Sequence, residues 1–149
     1  MTILDDNYFM RQAFHEARVA YVEHEVPIGA VIVSNNRIIA KAHNLTETLN
    51  DVTAHAEMQA ITAASDLLGA KYLTKCTLYV TVEPCVMCAG ALAWAQIGRL
   101  VYGASDEKRG FTKYFPNIMH PKTEIKGGVM ADDCGDFVSA FFQEKRKME

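Results

Sequence analysis

The segment Thr77-Leu78-Tyr79-Val80-Thr81-Val82-Glu83-Pro84-Cys85-Val86-Met87-Cys88-Ala89-Gly90-Ala91 decides the architecture. Its first six residues are rich in Thr, Tyr and Val, the composition of a strand. Pro84 suits the first turn of a helix, because its fixed φ and missing N–H cost nothing there. The apolar run then continues through Leu92 and Trp94 to about Gln96. Residues 100–102, between Gly98 and Gly103, read as the next strand. Strand, helix and strand at this spacing imply a right-handed crossover and parallel pairing, and hence an α/β protein. On that helix Cys85 and Cys88 fall one turn apart on the same face. Both lie near the helix start, where orphan N–H groups and the dipole favour thiolate over thiol.

Upstream stands Thr53-Ala54-His55-Ala56-Glu57. Thr53 is a plausible cap for a helix through these residues, with Met58, Ile61, Ala64 and Leu68 as its buried stripe and Gly69 as its stop. His55, Cys85 and Cys88 are good zinc ligands. A structural zinc site closes with four protein ligands, whereas a catalytic one keeps three and an open place. Cys76 and Cys134 have no matching spacing and read as small buried apolar residues. Zinc in an open site lowers the pKa of water to about 7. Glu57 is the carboxylate placed to move that water's proton to a ring nitrogen and a departing amine. A regular helix sets His55 and Glu57 about 200° apart, so one of them reaches the site only through adjustment of the first turn. The competing reading, a thioredoxin-like redox pair, does not require His55 and Glu57 where they stand.

Together the two segments spell H-x-E … P-C-x-x-C, which resembles the zinc-dependent nucleoside and nucleobase deaminase superfamily. The longer text, including Asp51-Val52-Thr53-Ala54-His55-Ala56-Glu57, Ile97-Gly98-Arg99-Leu100-Val101-Tyr102-Gly103-Ala104 and Val26-Pro27-Ile28-Gly29-Ala30-Val31, is similar to the bacterial tRNA-specific adenosine deaminases over nearly the whole chain. The resemblance implies a three-layer α/β/α cytidine-deaminase-like fold around a central mixed five-stranded sheet. It implies one zinc ion per subunit, a homodimer, and conversion of adenosine to inosine at the wobble position of a tRNA anticodon loop. By the same resemblance Asn44 hydrogen-bonds the target nucleoside, Val26 and Pro27 pack around the flipped base, and Asp106 lies near the RNA backbone. The segment after Asp106 departs from the family text, which bears on RNA contacts more than on chemistry. The alternatives are a deaminase of a free base or nucleoside such as guanine or cytidine, and a zinc-stabilised RNA-binding module without catalysis.

Composition agrees with an enzyme of this kind. The 149 residues make one domain, 1–149, half hydrophobic and 22% charged. The net charge of −3 excludes a uniformly basic surface, so any RNA contact is local. No apolar run approaches a membrane span, and the N-terminus lacks signal-peptide features; a cytoplasmic protein is expected. Asp5 or Asp6, or else Asn7, caps a first helix with Phe9, Ala13, Ala17 and Ala20 on its inner face, flanked by Phe14 and Tyr21. Residues 28–33 and 37–42 read as a hairpin turned by Ser34-Asn35-Asn36, and Gly29 as a place where another backbone comes close. Residues 106–121 interleave Lys108, Arg109 and Lys113 with Phe111, Tyr114 and Phe115, which suits either an RNA surface or aromatics packed on the core. A short strand is expected within 123–130, and then a helix capped by Asp132 or Asp133 with Cys134, Phe137, Val138, Phe141 and Phe142 on one face.

Overall fold

The computed structural model describes residues 3–148. The elements run α1 (Asp6–Val22), β1 (Gly29–Ser34), β2 (Arg37–His43), α2 (Ala56–Leu68), β3 (Cys76–Val82), α3 (Val86–Ala95), β4 (Arg99–Ala104), α4 (Phe111–Tyr114), β5 (Glu124–Lys126) and α5 (Ala131–Lys147). One five-stranded mixed sheet has the order β2-β1-β3-β4-β5. β1 is antiparallel to β2 and β3, while β3–β4 and β4–β5 are parallel.

Alternation along the strands builds two cores. Ala30, Ile32, Leu78, Val80 and Leu100 face one way, onto Ala56, Ala60 and Ala64 of α2 and Ala89 and Leu92 of α3. Val31, Val33, Tyr79 and Val101 face the other way, onto Phe9, Met10 and Ala13 of α1 and Cys134 of α5. The result is the three-layer α/β/α arrangement expected. Small residues let the helices come close: a Cβ on Gly29 would sit 2.1 Å from the Ala13 carbonyl oxygen and 2.4 Å from the Ala17 nitrogen. α1 therefore rests directly on β1 at that point.

Several local expectations hold. The Asp5 side chain caps α1 by accepting from the Tyr8 N–H at 2.8 Å. Asn35 and Asn36 turn the hairpin with φ of 51° and 60°, the pair of positive values a type I′ turn requires. Cys76 and Cys134 are buried.

Others are corrected. Thr53 does not cap α2; its N–H and hydroxyl both donate to Asp51, and His55 is the N-cap. Pro84 precedes α3 rather than opening it, because Cys85 stays extended as the N-cap and the helix begins at Val86. The inner stripe of α2 is Ala56, Glu57, Ala60 and Ala64, with Met58 and Ile61 half-buried and Leu68 exposed. α5 is entered through Met130 in the left-handed region, which leaves Asp132 and Asp133 inside the first turn, complementing the helix dipole. Phe142 is exposed. β5 stops at Lys126, because the chain then passes against Tyr102, where a Cβ on Gly127 would lie 2.5 Å from the ring.

Candidate active site

The sheet's topology selects where the site forms. β3 and β4 end at Val82 and Ala104, and antiparallel β1 begins at that same edge, with Gly29 donating to the Thr81 hydroxyl at 3.2 Å. In open α/β sheets ligands bind beyond the carboxyl ends of the parallel strands. Every predicted site residue falls there: Val26 and Pro27 before β1, Asn44 after β2, Cys85 after β3 and Asp106 after β4.

His55 and Cys85 hold the same place on their helices. Each is an N-cap with extended backbone whose side chain makes no capping hydrogen bond, so each is free to turn towards the other. Cys88, buried in the first turn of α3, completes a triangle. His55 Nδ1 lies 3.4 Å from Cys88 Sγ and 3.6 Å from Cys85 Sγ, and all three ligand atoms lie within 4.8 Å of one another. Bonds of ordinary length to tetrahedral zinc set nitrogen–sulfur edges of about 3.6 Å. The chemistry of the donors and their spacing therefore both fit zinc, with three protein ligands found among the described residues.

Charge in the cluster is strongly organised. A hydrogen bond from the Cys88 thiol, opposed by burial and aided by His55, brings the Cys85 thiol down to about 4. The Cys85 sulfur and burial push Cys88 far up in return. The bond to Cys85 raises His55. Cys85, Cys88 and His55 would hold a bound zinc, which would take the place of that shared proton and keep both sulfurs as thiolates. Glu57, with 4% of its surface exposed, is pushed up to about 7, chiefly by burial. The nearby Cys85 sulfur adds to that rise, while the neighbouring His55 works against it. Because α2 starts only at Ala56, the N-cap His55 and the first-turn Glu57 both turn inward. The 200° separation of a regular helix does not apply to them.

The MafB19-like deaminase family model matches residues 4–143. The tRNA-specific adenosine deaminase of Bacillus subtilis (strain 168) is 45% identical over 147 residues, spanning 95% of this chain and 91% of its own. The chain belongs to the tRNA-specific adenosine deaminase family. A solved structure from a study of A-to-I editing by tRNA:A34 deaminases at the wobble position of transfer RNA superposes with a TM-score of 0.82 at 43% identity, over 87% of this chain and 98% of that one. The guanine deaminase of Bacillus subtilis is also similar, at 40% identity and a TM-score of 0.66, over 68% of this chain and 66% of that one.

Two further carboxylates shape this deaminase's site. Glu83, directly before Pro84 in the sequence, is 5% exposed. It accepts from the Asp106 N–H at 3.1 Å, the Thr112 N–H at 3.0 Å and the Thr112 hydroxyl at 2.8 Å. The loop after β4 is thus bolted to the turn that carries Cys85, and the Phe111 N–H donates to the Pro84 carbonyl at 3.0 Å. Asp106 folds that loop on itself, its Oδ1 accepting from the N–H groups of Lys108 and Arg109, each at 3.0 Å. The second carboxylate, Glu25, escaped the sequence reading. Its only signal there is an acidic residue directly before the apolar Val26-Pro27-Ile28 run.

The mixed basic and aromatic segment divides. Phe111 is fully buried in the core, whereas Tyr114 and Phe115 are exposed beside Lys108, Arg109 and Lys113. His120 serves locally, its Nδ1 accepting from the Lys122 N–H at 3.1 Å. A groove of about 560 Å³, lined among others by Arg11, Phe14 and Phe137, lies between α1 and α5 on the opposite face of the sheet and contains none of the site residues.

Proposed function

We propose that this chain is a zinc-dependent hydrolase that converts adenosine to inosine at the wobble position of a tRNA anticodon, in the cytoplasm, as a homodimer with one zinc per subunit. The observation that carries the proposal is a buried glutamate, Glu57, beside a His55–Cys85–Cys88 triangle at the strand ends of a chain from this family. His55, Cys85 and Cys88 would hold the metal, which when bound supplies a water activated near neutral pH. Glu57 does the proton work. A carboxyl held near 7 can take the water's proton and return one at the same pH. It protonates the purine nitrogen next to the attacked carbon, and then the amine that leaves as ammonia. The net change is adenosine plus water giving inosine plus ammonia.

Substrate contacts come from the loops at the same edge. The Leu45 N–H donates to the Ala54 carbonyl at 2.9 Å, which brings Asn44 beside the segment entering α2. The Asn44 N–H donates to the Ile28 carbonyl at 3.1 Å, which sets Asn44 next to half-buried Val26 and buried Pro27. In this reading these three residues hold the flipped nucleoside, and the loop shaped by Asp106 meets the RNA backbone with Lys108 and Arg109. An anticodon loop offers an already unstacked base, which lowers the cost of flipping. For the dimer, support comes from Trp94, which stands on α3 with 84% of its surface exposed, an apolar anchor of the kind interfaces bury. No helix among the described residues is long and apolar enough to cross a membrane.

The similarity to a guanine deaminase favours a second reading, a free-base deaminase, over a shorter stretch and with a looser superposition. Incubating the pure protein with an anticodon stem-loop and with free guanine, cytidine and adenosine, with products identified by mass, separates the two. Inosine in the RNA is expected. Turnover of a free base with unchanged RNA would overturn the tRNA reading.

A further inference from the structure

Glu25 is completely buried, and no Lys or Arg pairs with it among the described residues. A buried carboxylate needs compensation from elsewhere. Four donors supply it. Oε1 accepts from Asn44 Nδ2 at 3.3 Å and the Glu47 N–H at 3.1 Å, while Oε2 accepts from the Thr48 N–H and hydroxyl, each at 2.6 Å. Burial pushes the carboxyl up, but these bonds outweigh it and the net shift is downward. The end of α1 delivers Glu25 to this position. His24 takes φ 63° and donates to the Tyr21 carbonyl at 3.1 Å, and the Glu25 N–H reaches back to the Ala20 carbonyl at 2.9 Å, a Schellman ending without glycine.

The consequence falls on Asn44. Its Nδ2 is shared between Glu25 and the Thr46 hydroxyl, 3.2 Å away. An ionised carboxylate has no proton to give, so the amide nitrogen, not the oxygen, must face Glu25. Among the described residues no hydrogen bond engages Asn44 Oδ1, and no fully buried side-chain polar atom lacks a partner. Oδ1 is therefore open to an approaching molecule.

We propose that Glu25 is a positioning residue that locks the Asn44 amide with its oxygen outward, so that the site selects a hydrogen-bond donor, a ribose hydroxyl or exocyclic amine, on the bound nucleoside. This rests on the deaminase reading of the site above. Glu25→Gln is the informative change. Its amide keeps one oxygen for the two Thr48 donors and turns an NH2 towards Asn44, which must then flip and present Nδ2 instead. The donor of the substrate would meet a donor.

The experiment is a double-mutant cycle on an anticodon stem-loop with wild type, E25Q, N44A and E25Q/N44A, each checked for zinc content and circular dichroism. Losing a charge-assisted orientation of this kind lowers kcat/KM by about ten- to a hundredfold. N44A is expected to lose as much, and the double variant no more than either. Losses that multiply, or an E25Q enzyme within about twofold of wild type, would overturn the proposal. Should E25Q fail to fold, E25D, which withdraws the carboxylate by about 1.5 Å, runs the same cycle. A second arm needs no substrate: the Asn44 side-chain NH2 resonances, assigned by their loss in N44A, shift in the Glu25 variant. Shifted resonances in an enzyme that leaves the RNA unaltered would refute the tRNA reading while sustaining the Glu25–Asn44 contact. Unmoved resonances would refute the Glu25 proposal whatever the turnover.

Discussion

Replacing Gly110 with alanine drives a methyl group into the carboxyl of Glu83. The added Cβ would lie 2.3, 2.4 and 2.5 Å from Oε2, Cδ and Oε1 of that side chain. Ordinary carbon–oxygen contact is about 3.3 Å, so carboxyl and loop must separate by about 1 Å. Glu83 accepts its three hydrogen bonds at 2.8 to 3.1 Å. A separation of that size takes at least two of them to about 4 Å, beyond hydrogen-bonding range. Losing two of three bonds to a buried carboxylate costs about 3 to 5 kcal/mol. The backbone works the other way: Gly110 has φ −62° and ψ 143°, which alanine adopts freely. The entropy change alone would therefore stabilise by about 0.4 to 1 kcal/mol. The sign of the result thus decides between collision and entropy. With about 2.1 cal/mol/K per residue, 149 residues and a net loss of about 3 kcal/mol, the melting temperature falls by about 10 °C. Thermal unfolding followed by circular dichroism in saturating zinc measures it, since bound metal adds stability by mass action that must be held constant. An unchanged or raised melting temperature in G110A would refute the claim that Glu83 clamps the 106–112 loop.

Glu57→Gln replaces a buried carboxyl pushed up to about 7 with a neutral group of the same shape, so fold and zinc content should persist while turnover drops by about 10²- to 10⁴-fold; single-turnover assays with quantified zinc check both halves. Cys88→Ala removes a buried corner of the ligand triangle, and elemental analysis should find well below one zinc per chain, with the wild type close to one. Asp6 accepts from Arg99 at 2.6 and 2.8 Å, from the Tyr79 hydroxyl and from Lys126, and the Arg99 bonds chiefly hold its carboxyl well below the usual range. Its stabilising contribution is present above the unfolded carboxyl pKa of about 3.9 and is lost as pH falls further. Urea midpoints of wild type and Asp6→Asn should therefore differ at pH 7, with the gap narrowing steadily as pH falls below about 4.

The chemistry of this protein was written locally, and local chemistry is legible. His55, Cys85 and Cys88 are few, specific side chains whose spacing already placed them at helix starts, and the structure gathers them as that spacing implied. The Thr, Tyr and Val content of residues 77–82 likewise marked β3, and Ser34-Asn35-Asn36 the hairpin turn. Helix starts were less legible. Thr53 and Asp132 have the side chains of good caps, but tertiary demands assigned those places to His55, which faces the cysteines, and to Met130, which follows the turn at Gly128. Least legible were the partners of Glu25 and Glu83. Four of the seven hydrogen bonds these carboxylates accept come from backbone N–H groups 22 to 29 residues away. A backbone N–H is the same in almost every residue, so no side-chain pattern marks it as a partner. Sequence alone singled out the side chains that the fold gathers into the candidate site; only the folded chain decided how the surrounding loops are held against them, because that holding is done largely by groups every residue shares.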